Sequence, residues 1–177
     1  MISKIHIIGG PGSGKTYLAR QLSKWLNTPC HDLDEVFWDN SVDSYGTRNP
    51  IEIREKWLQG VLEQPKWILE GVYCQWIQPA FRQADLIVIL RPSVIRRDWR
   101  ILRRFVKRKL GLIKSKRESF RQFFALLRYN HGYDARSLYP AIESLQEQHD
   151  KLIHCSSADE ALQRIKTRIQ ELTAGIC

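Results

Sequence analysis

Hydrophobic residues in this chain form short, nearly unbroken runs that alternate with longer segments of helical spacing. The short runs lie at residues 2–8, 66–71, 84–90 and 151–155, and the run at 84–90 is apolar on both faces. Residues 28–34 are more polar and predict a helix stop, a short strand and an acidic turn. Helical spacing recurs at residues 17–26, 51–62, 93–110, 118–133, 138–149 and from 158 onward. Strands that alternate with helices predict an open α/β sheet with parallel strands. Because the sequence contains no internal repeat and no linker, we predict that residues 1–177 form one domain.

The turn between the first strand and the first helix carries the most specific motif. It reads Gly9-Gly10-Pro11-Gly12-Ser13-Gly14-Lys15-Thr16 and fits G-x-x-x-x-G-K-[ST], the phosphate-binding P-loop. The glycines leave no Cβ between backbone N–H groups and phosphate oxygens. Lys15 would neutralise the β- and γ-phosphates, and Thr16 would offer its hydroxyl to Mg²⁺. The alternative is a glycine-rich turn that ends in Lys-Thr by chance. The flanking strand and helix favour a nucleotide triphosphate, bound by all eight residues.

Acidic residues follow two of the predicted strands. Asp32 and Asp34 end the second strand and Glu70 ends the third, and ligands of open α/β sheets bind at such ends. We predict that Asp32 orients Mg²⁺ and that Asp34 accepts from, or acts as a base toward, a substrate hydroxyl. The alternative is that both aspartates only cap the next helix. Glu70 would reach the metal or the acceptor, or be merely solvated.

Two further positions are candidates for ligand contact. Turn-forming residues dominate 39–50, which we predict to be a mobile loop, and Arg48 within it is a candidate for binding an acceptor anion. The alternative, which the sequence supports at least as well, is that Arg48 is a solvated loop residue. Ser157 is predicted to cap the last helix opposite Glu160, in a turn that would line the nucleotide base.

Positive charge is concentrated in one segment. Residues 91–128 contain fourteen basic and two acidic residues, an excess of +12, so the other 139 residues sum to −3 within a net charge of +9. Arginines and one lysine share one face of the helix that begins near Ser93, while Ile95, Trp99, Leu102 and Val106 run along another. We predict that Arg100 and Arg104, one turn apart, clamp a transferring phosphoryl group, and that the other basic residues are solvated. The aromatic stripe at Phe120, Phe123 and Phe124 is predicted to lie in the core.

The bulk composition excludes several classes of protein. No run approaches the roughly 18 apolar residues of a membrane span. The four cysteines are far apart and lack metal-ligand spacing. We therefore expect a cytoplasmic enzyme without a membrane partner.

Four segments together resemble the nucleoside monophosphate kinase group of P-loop proteins, and more narrowly the adenylate-kinase-related DNA topology modulation proteins. They are residues 7–16, 33–38 (Leu-Asp-Glu-Val-Phe-Trp), 67–73 (Trp-Ile-Leu-Glu-Gly-Val-Tyr) and 84–90. The resemblance implies a three-layer P-loop NTPase fold with sheet order 2-3-1-4-5, ATP with Mg²⁺, and an arginine-rich helical lid at about 91–135. Arg100 and Arg104 resemble the catalytic Arg-x-x-x-Arg of adenylate kinase lids. Asp32 and Asp34 resemble the Asp-x-Asp of shikimate kinase.

These observations predict an ATP-dependent phosphotransferase that moves the γ-phosphoryl group of Mg-ATP to a small molecule, a nucleoside or a nucleotide. The alternative is an ATP-binding, DNA-associated regulator that uses the basic segment 91–128. A nucleic-acid partner is not favoured, because the sequence has no recognised nucleic-acid-binding motif.

Overall fold

Five parallel strands form the centre of this computed structural model, which describes residues 2–39, 47–112 and 119–174. The strands are β1 (Lys4–Gly9), β2 (Cys30–Asp32), β3 (Trp67–Gly71), β4 (Leu86–Leu90) and β5 (Leu152–Cys155). Their spatial order is β2-β3-β1-β4-β5, and every neighbouring pair is parallel. The structure thus confirms the expected order 2-3-1-4-5.

Helices cover both faces of the sheet. Ile5 and Ile7 of β1 point into the layer formed by α1 (Lys15–Leu26) and α8 (Ala158–Ala174). Ile8 points into the opposite layer, where α3 (Ile51–Leu62), α4 (Gln78–Gln83) and α7 (Tyr139–Ser144) contribute. Apolar side chains on successive residues of a strand therefore serve two cores, which explains the unbroken hydrophobic runs. The three-layer prediction is confirmed.

Three local elements differ from the sequence-based expectation. A short helix, α2 (Leu33–Phe37), begins where an acidic turn was expected after the second strand. The helix expected at 138–149 is divided into α7 and a 3₁₀ helix, Gln146–Lys151, and α7 is preceded by a π-helix, Asp134–Leu138. Pro140 lies in the first turn of α7, where it removes one helical N–H donor. Of the predicted loop at 39–50, residues 40–46 lie outside the described part of the chain.

The arginine-rich helix α5 (Val94–Lys109) packs on α6 (Phe120–Tyr133). Their shared apolar cluster contains Ile101, Phe105 and Phe123, and the rings of Phe105 and Phe123 stack with centroids 4.5 Å apart. Ser119 and Gln122 form a capping box at the start of α6. The two helices thus form a small apolar unit beside the P-loop.

The apolar face that the sequence pattern marks on α5 is exposed. An amphipathic helix usually buries such a face against the core. In α5, however, Ile95 is 80% and Trp99 64% exposed, and the helix instead turns Arg97 inward with Ile101. The inward position of Arg97 is stabilised by its buried ion pair with Asp134.

The prediction that the aromatic stripe of α6 lies in the core is only partly right. Phe123 is buried, but Phe120 and Phe124 are 63% and 64% exposed. The stripe is wider than the surface that α5 can cover.

Within the described part of the chain, no helix is long and apolar enough to cross a membrane.

Candidate active site

The loop between β1 and α1 turns through left-handed backbone conformations. Gly12 has φ 72° and Gly14, the N-cap of α1, has φ 104°. Ser13 N–H donates to the Gly10 carbonyl at 3.1 Å and closes the turn. Side chains with a Cβ rarely adopt these φ values, so glycine is required at both positions.

Close packing by α5 gives the loop glycines a second role. A Cβ on Gly10 would lie 2.2 Å from Nη1 of Arg97, and a Cβ on Gly12 would lie 2.7 Å from the Arg97 carbonyl oxygen. Gly10 and Gly12 are therefore needed for close contact with α5, in addition to the access of phosphate oxygens that the motif predicts. The sequence motif alone indicated only the access of phosphate oxygens.

Lys15 lies among charged groups under the loop. Its side chain is buried, and Nζ donates to the Gly10 carbonyl at 3.3 Å. Burial lowers the Lys15 pKa, the carboxylates of Glu70, Asp34 and Asp32 raise it, and Arg104 lowers it further. The fold thus brings together Lys15, Asp32, Asp34 and Arg104, which the sequence analysis selected from three separate segments.

Thr16 and Glu70 meet at the start of α1. The Thr16 hydroxyl donates to Oε1 of Glu70, which is buried at the end of β3, and burial raises the pKa of that carboxyl. Asp32 is the register partner of Glu70 on the neighbouring strand. A hydroxyl and one or two carboxylates are hard oxygen donors of the kind that hold Mg²⁺ together with water and phosphate oxygens. These residues therefore fit the Mg²⁺ that the P-loop motif predicts.

Among the described residues, no group of three or more His, Cys, Asp or Glu side chains is arranged to hold an ion.

Asp32 caps α2, as the alternative interpretation of the sequence proposed. Its Oδ1 accepts from the Asp34 backbone N–H at 2.9 Å. Burial, followed by the charges of Glu70 and Asp34, raises the Asp32 pKa to about 7. A bound divalent cation would reverse this effect, because a nearby positive charge favours the carboxylate. Capping and metal contact through water are compatible, since a carboxylate has two oxygens.

We expect the raised Asp32 pKa to make stability depend on pH. Asp32 ionises near 3.8 in the unfolded chain and near 7 in the fold, so between these values the folded state holds the extra proton. The free energy of unfolding should therefore fall as pH rises from about 4 to about 7, and level off above. Asp32→Asn keeps the capping oxygen and should remove this component. Urea titrations of both proteins with a metal chelator test it, and parallel pH profiles would contradict it.

Asp34 takes part in an aromatic and cationic cluster. Tyr73 OH donates to Asp34 Oδ1 at 2.7 Å, and the Tyr73 ring stacks on Phe37 with centroids 4.1 Å apart. The Arg54 guanidinium carbon lies 5.0 Å from the Phe37 ring centroid, and that of Arg48 lies 5.4 Å from it. Sequence reasoning selected Asp34 and Arg48 but missed the other three residues. A usable signal was the position of Tyr73, two residues after Gly71 at the end of β3.

Arg100 contacts the P-loop directly. Its Nη1 donates to the carbonyls of Gly12 and Ser13 at 3.2 and 2.8 Å. The charge of Arg104 acts on Lys15. The Arg-x-x-x-Arg pair therefore lies at the loop, but in this structure Arg100 binds loop carbonyls.

Ser157 lies at the turn that precedes α8. Its Oγ accepts from the Glu160 N–H at 3.1 Å, while Glu160 accepts from Ser156 instead of Ser157. The following residue, Ala158, lies 3.5 Å from the position a Cβ on Gly14 would take. The turn is therefore next to the P-loop, as the base-binding prediction requires, and the nucleotide-binding role of Ser157 stays a prediction.

The sequence analysis did not identify the ion pair that supports the loop. Arg97 is fully buried, and its Nη1 and Nη2 donate to the two carboxylate oxygens of Asp134 at 2.7 and 3.0 Å. The Tyr133 ring also lies against Gly10, with Cδ1 3.0 Å from the position of an added Cβ. The π-helix that begins at Asp134 is thus tied to the underside of the P-loop.

Two solved structures are similar to this fold over nearly its whole length. A shikimate kinase from Acinetobacter baumannii in complex with shikimate has a TM-score of 0.63 at 17% identity, covering 97% of this chain and 94% of that chain. A shikimate kinase from Bacteroides thetaiotaomicron has a TM-score of 0.57 at 17% identity, covering 96% and 99%. No curated protein matches the sequence. At 17% identity, the similarity of the two structures to this chain shows a shared P-loop fold.

A family-level match comes from the sequence itself. Residues 5–121 match the AAA domain, and they include the P-loop, the acidic strand ends and the whole of α5. Since this segment is well over half of the 177 residues, the chain belongs to the AAA domain family.

Proposed function

We propose that this chain transfers the γ-phosphoryl group of Mg-ATP to a hydroxyl of a small-molecule acceptor. The observation that carries the proposal is the position of Lys15, enclosed by the P-loop and surrounded by the carboxylates of Asp32, Asp34 and Glu70. Phosphoryl transfer needs positioning and charge stabilisation more than covalent chemistry, and this arrangement would supply both.

The phosphate side of the reaction uses the loop and α5. Backbone N–H groups of residues 9–16 would hold the phosphates, and Lys15 would neutralise charge on the transferring group. Arg100 and Arg104 would contribute further positive charge from α5. Thr16 and Asp32 would hold Mg²⁺, which supplies charge neutralisation across the β- and γ-phosphates when it is bound.

The acceptor side uses the cluster around Asp34. Its carboxylate, exposed and oriented by Tyr73, would accept the proton of the attacking hydroxyl. The rings of Phe37 and Tyr73 offer apolar surface, and Arg48 and Arg54 offer positive charge. This combination suits a small polar acceptor with one anionic group, and a nucleoside or nucleotide is the narrower candidate that the sequence resemblance suggests.

A labelled-phosphate assay tests the proposal. Purified protein with Mg²⁺ and γ-labelled ATP is incubated with nucleosides, nucleoside monophosphates, polyols and hydroxy acids, and each reaction is examined for labelled acceptor. Transfer to one class would support a kinase and identify its acceptor. The absence of transfer to every class would refute the proposal.

Asp34→Asn is expected to lower kcat with the acceptor so identified by about 10²-fold or more, because the asparagine cannot take up the proton. The dissociation constant for Mg-ATP should change little. Tyr73→Phe, which removes only the hydrogen bond to Asp34, should show a smaller loss. Glu52→Gln, at an exposed carboxylate of α3, is the matched control. A kcat for Asp34→Asn equal to that of the control would contradict a role in proton transfer.

The basic segment supports a second candidate, an ATP-binding, DNA-associated regulator of the topology modulation type. Arg96 and Arg103 are exposed on α5 within the segment of +12 charge. If six or more phosphates were contacted, affinity for duplex DNA would fall by several powers of ten between low and moderate salt. Weak retention of DNA that is insensitive to salt would exclude this candidate.

A further inference from the structure

The exposed apolar residues of α5 lie on one line. With 3.6 residues per turn, positions 95, 99, 102 and 106 of α5, together with Leu110 at its C-cap, fall within one narrow sector of the helix. We call this surface the α5 stripe, and its exposed fractions are 80% for Ile95, 64% for Trp99, 39% for Leu102, 44% for Val106 and 67% for Leu110. Single exposed apolar residues are ordinary, but a contiguous row of five marks an interaction surface.

The opposite side of α5 packs against the rest of the protein. Arg97, Ile101 and Phe105 are buried, and Arg100 reaches the P-loop carbonyls. The stripe therefore cannot be buried by rotation of the helix without breaking these contacts. On the neighbouring helix, Phe120 and Phe124 add further exposed aromatic surface.

The charges beside the stripe restrict its partner. Arg96 and Arg103 are exposed along one border, Lys107 lies on the same border, and the surrounding segment 91–128 has an excess charge of +12. A second copy of the chain would bring these cations against their own equivalents in a two-fold interface. A nucleic acid backbone would satisfy the cations but leave five apolar side chains uncovered. An anionic lipid surface matches both the charge and the apolar row.

We propose that the α5 stripe binds the surface of anionic lipid bilayers, with α5 lying parallel to the membrane plane. Trp99 is the central anchor, since tryptophan favours the membrane interface. Arg96, Arg103 and Lys107 contact lipid phosphates and carboxylates. The opposite side of α5, where Arg100 donates to the P-loop, faces away from the bilayer. This inference departs from the sequence-based expectation of no membrane partner, because that expectation did not include an exposed stripe.

Vesicle flotation tests the surface. Nucleotide-free protein is mixed with phosphatidylcholine vesicles, with or without about 30 mol% phosphatidylserine, at low and moderate salt. We expect binding to the anionic vesicles only, and weaker binding as salt rises. Trp99→Ala should lower the partition coefficient about tenfold, from the apolar area that it removes. Trp25→Ala, at an exposed tryptophan of α1 (41%), is the matched control and should bind as wild type does.

Charge variants complete the test. The double change Arg96→Gln and Arg103→Gln should lower partitioning into anionic vesicles about 25-fold, roughly fivefold for each charge. Equal binding to neutral vesicles, equal losses for Trp99→Ala and Trp25→Ala, or no partitioning at low salt would overturn the proposal. So would a dimer in sedimentation experiments that Trp99→Ala dissociates, which would assign the stripe to a second copy. Thermal unfolding of each variant verifies that it folds.

The lipid assay is independent of the proposed kinase activity. Lys15→Met should bind vesicles as wild type does, because Lys15 is buried under the P-loop and away from the stripe. Loss of phosphoryl transfer and loss of lipid binding can therefore be measured separately.

Discussion

Lys15→Met is expected to abolish detectable phosphoryl transfer, with a fall in kcat/KM of at least about 10³-fold. Methionine keeps most of the buried volume but removes the cation that faces Asp32, Asp34 and Glu70. Without it, an incoming polyphosphate would meet three carboxylates with no lysine between them. Calorimetric titration with Mg-ATP should show a large loss of affinity, and the labelled-phosphate assay should show a loss of turnover.

The fold should tolerate this change. Burial already disfavours the charged form of Lys15, as its lowered pKa shows, so removing the charge relieves a desolvation cost. Lys24→Met is the matched control, because Lys24 is exposed on the same helix. Affinity for Mg-ATP should be unchanged in that variant. If Lys15→Met bound Mg-ATP with wild-type affinity, the P-loop interpretation of residues 9–16 would be wrong.

The parts of the fold that the sequence predicts well are those with local causes. The unbroken hydrophobic runs identify strands buried on both faces, and the motif at Gly9 to Thr16 fixes where the first strand ends and the first helix begins. The sheet order followed from the resemblance to P-loop kinases rather than from the hydrophobic pattern. Each strand end then places its carboxylate at one edge of the sheet, which is why Asp32 and Glu70 were identified.

The parts that the sequence did not predict depend on partners far along the chain. Periodicity marks an apolar face on α5, but it cannot show that Arg97 is the residue that turns inward. That choice depends on Asp134, 37 residues later, whose carboxylate accepts both guanidinium hydrogen bonds. The sequence pattern does not distinguish a buried arginine from a solvated one, because the difference lies in a partner that only the three-dimensional structure locates.

The same limit applies to the acceptor side of the site. Asp34 could be selected from its place after a strand, but its hydrogen-bond donor, Tyr73, is 39 residues away. Arg54 was assigned to an ordinary helix, and only the fold brings its guanidinium to the rings of Phe37 and Trp76, at 5.0 and 5.5 Å.

Asp134→Ala is expected to lower the free energy of unfolding by about 3–5 kcal/mol, because it leaves the guanidinium of Arg97 buried and without its counter-ion. Arg97 is fully buried, and within the described residues its Nε has no hydrogen-bond partner. Guanidinium groups stay charged, so protonation cannot relieve the cost. Urea unfolding at neutral pH measures the effect. Glu143→Ala, at an exposed carboxylate of α7, is the control and should change stability by less than about 0.5 kcal/mol.

The partner variant separates an unpaired charge from lost packing. Arg97→Met removes the buried cation and keeps an unbranched chain beneath Gly10, so it should destabilise the protein much less than Asp134→Ala does. Because Asp134 is 18% exposed and also lies 3.8 Å from Arg91, it keeps solvent and a second cation. If Arg97→Met cost as much as Asp134→Ala, the contact itself would be the source of stability. We expect the smaller loss in the free energy of unfolding, because the ion pair serves chiefly to hold α5 and the π-helix against the P-loop. The affinity for Mg-ATP should therefore fall in Arg97→Met even though most of the stability is kept.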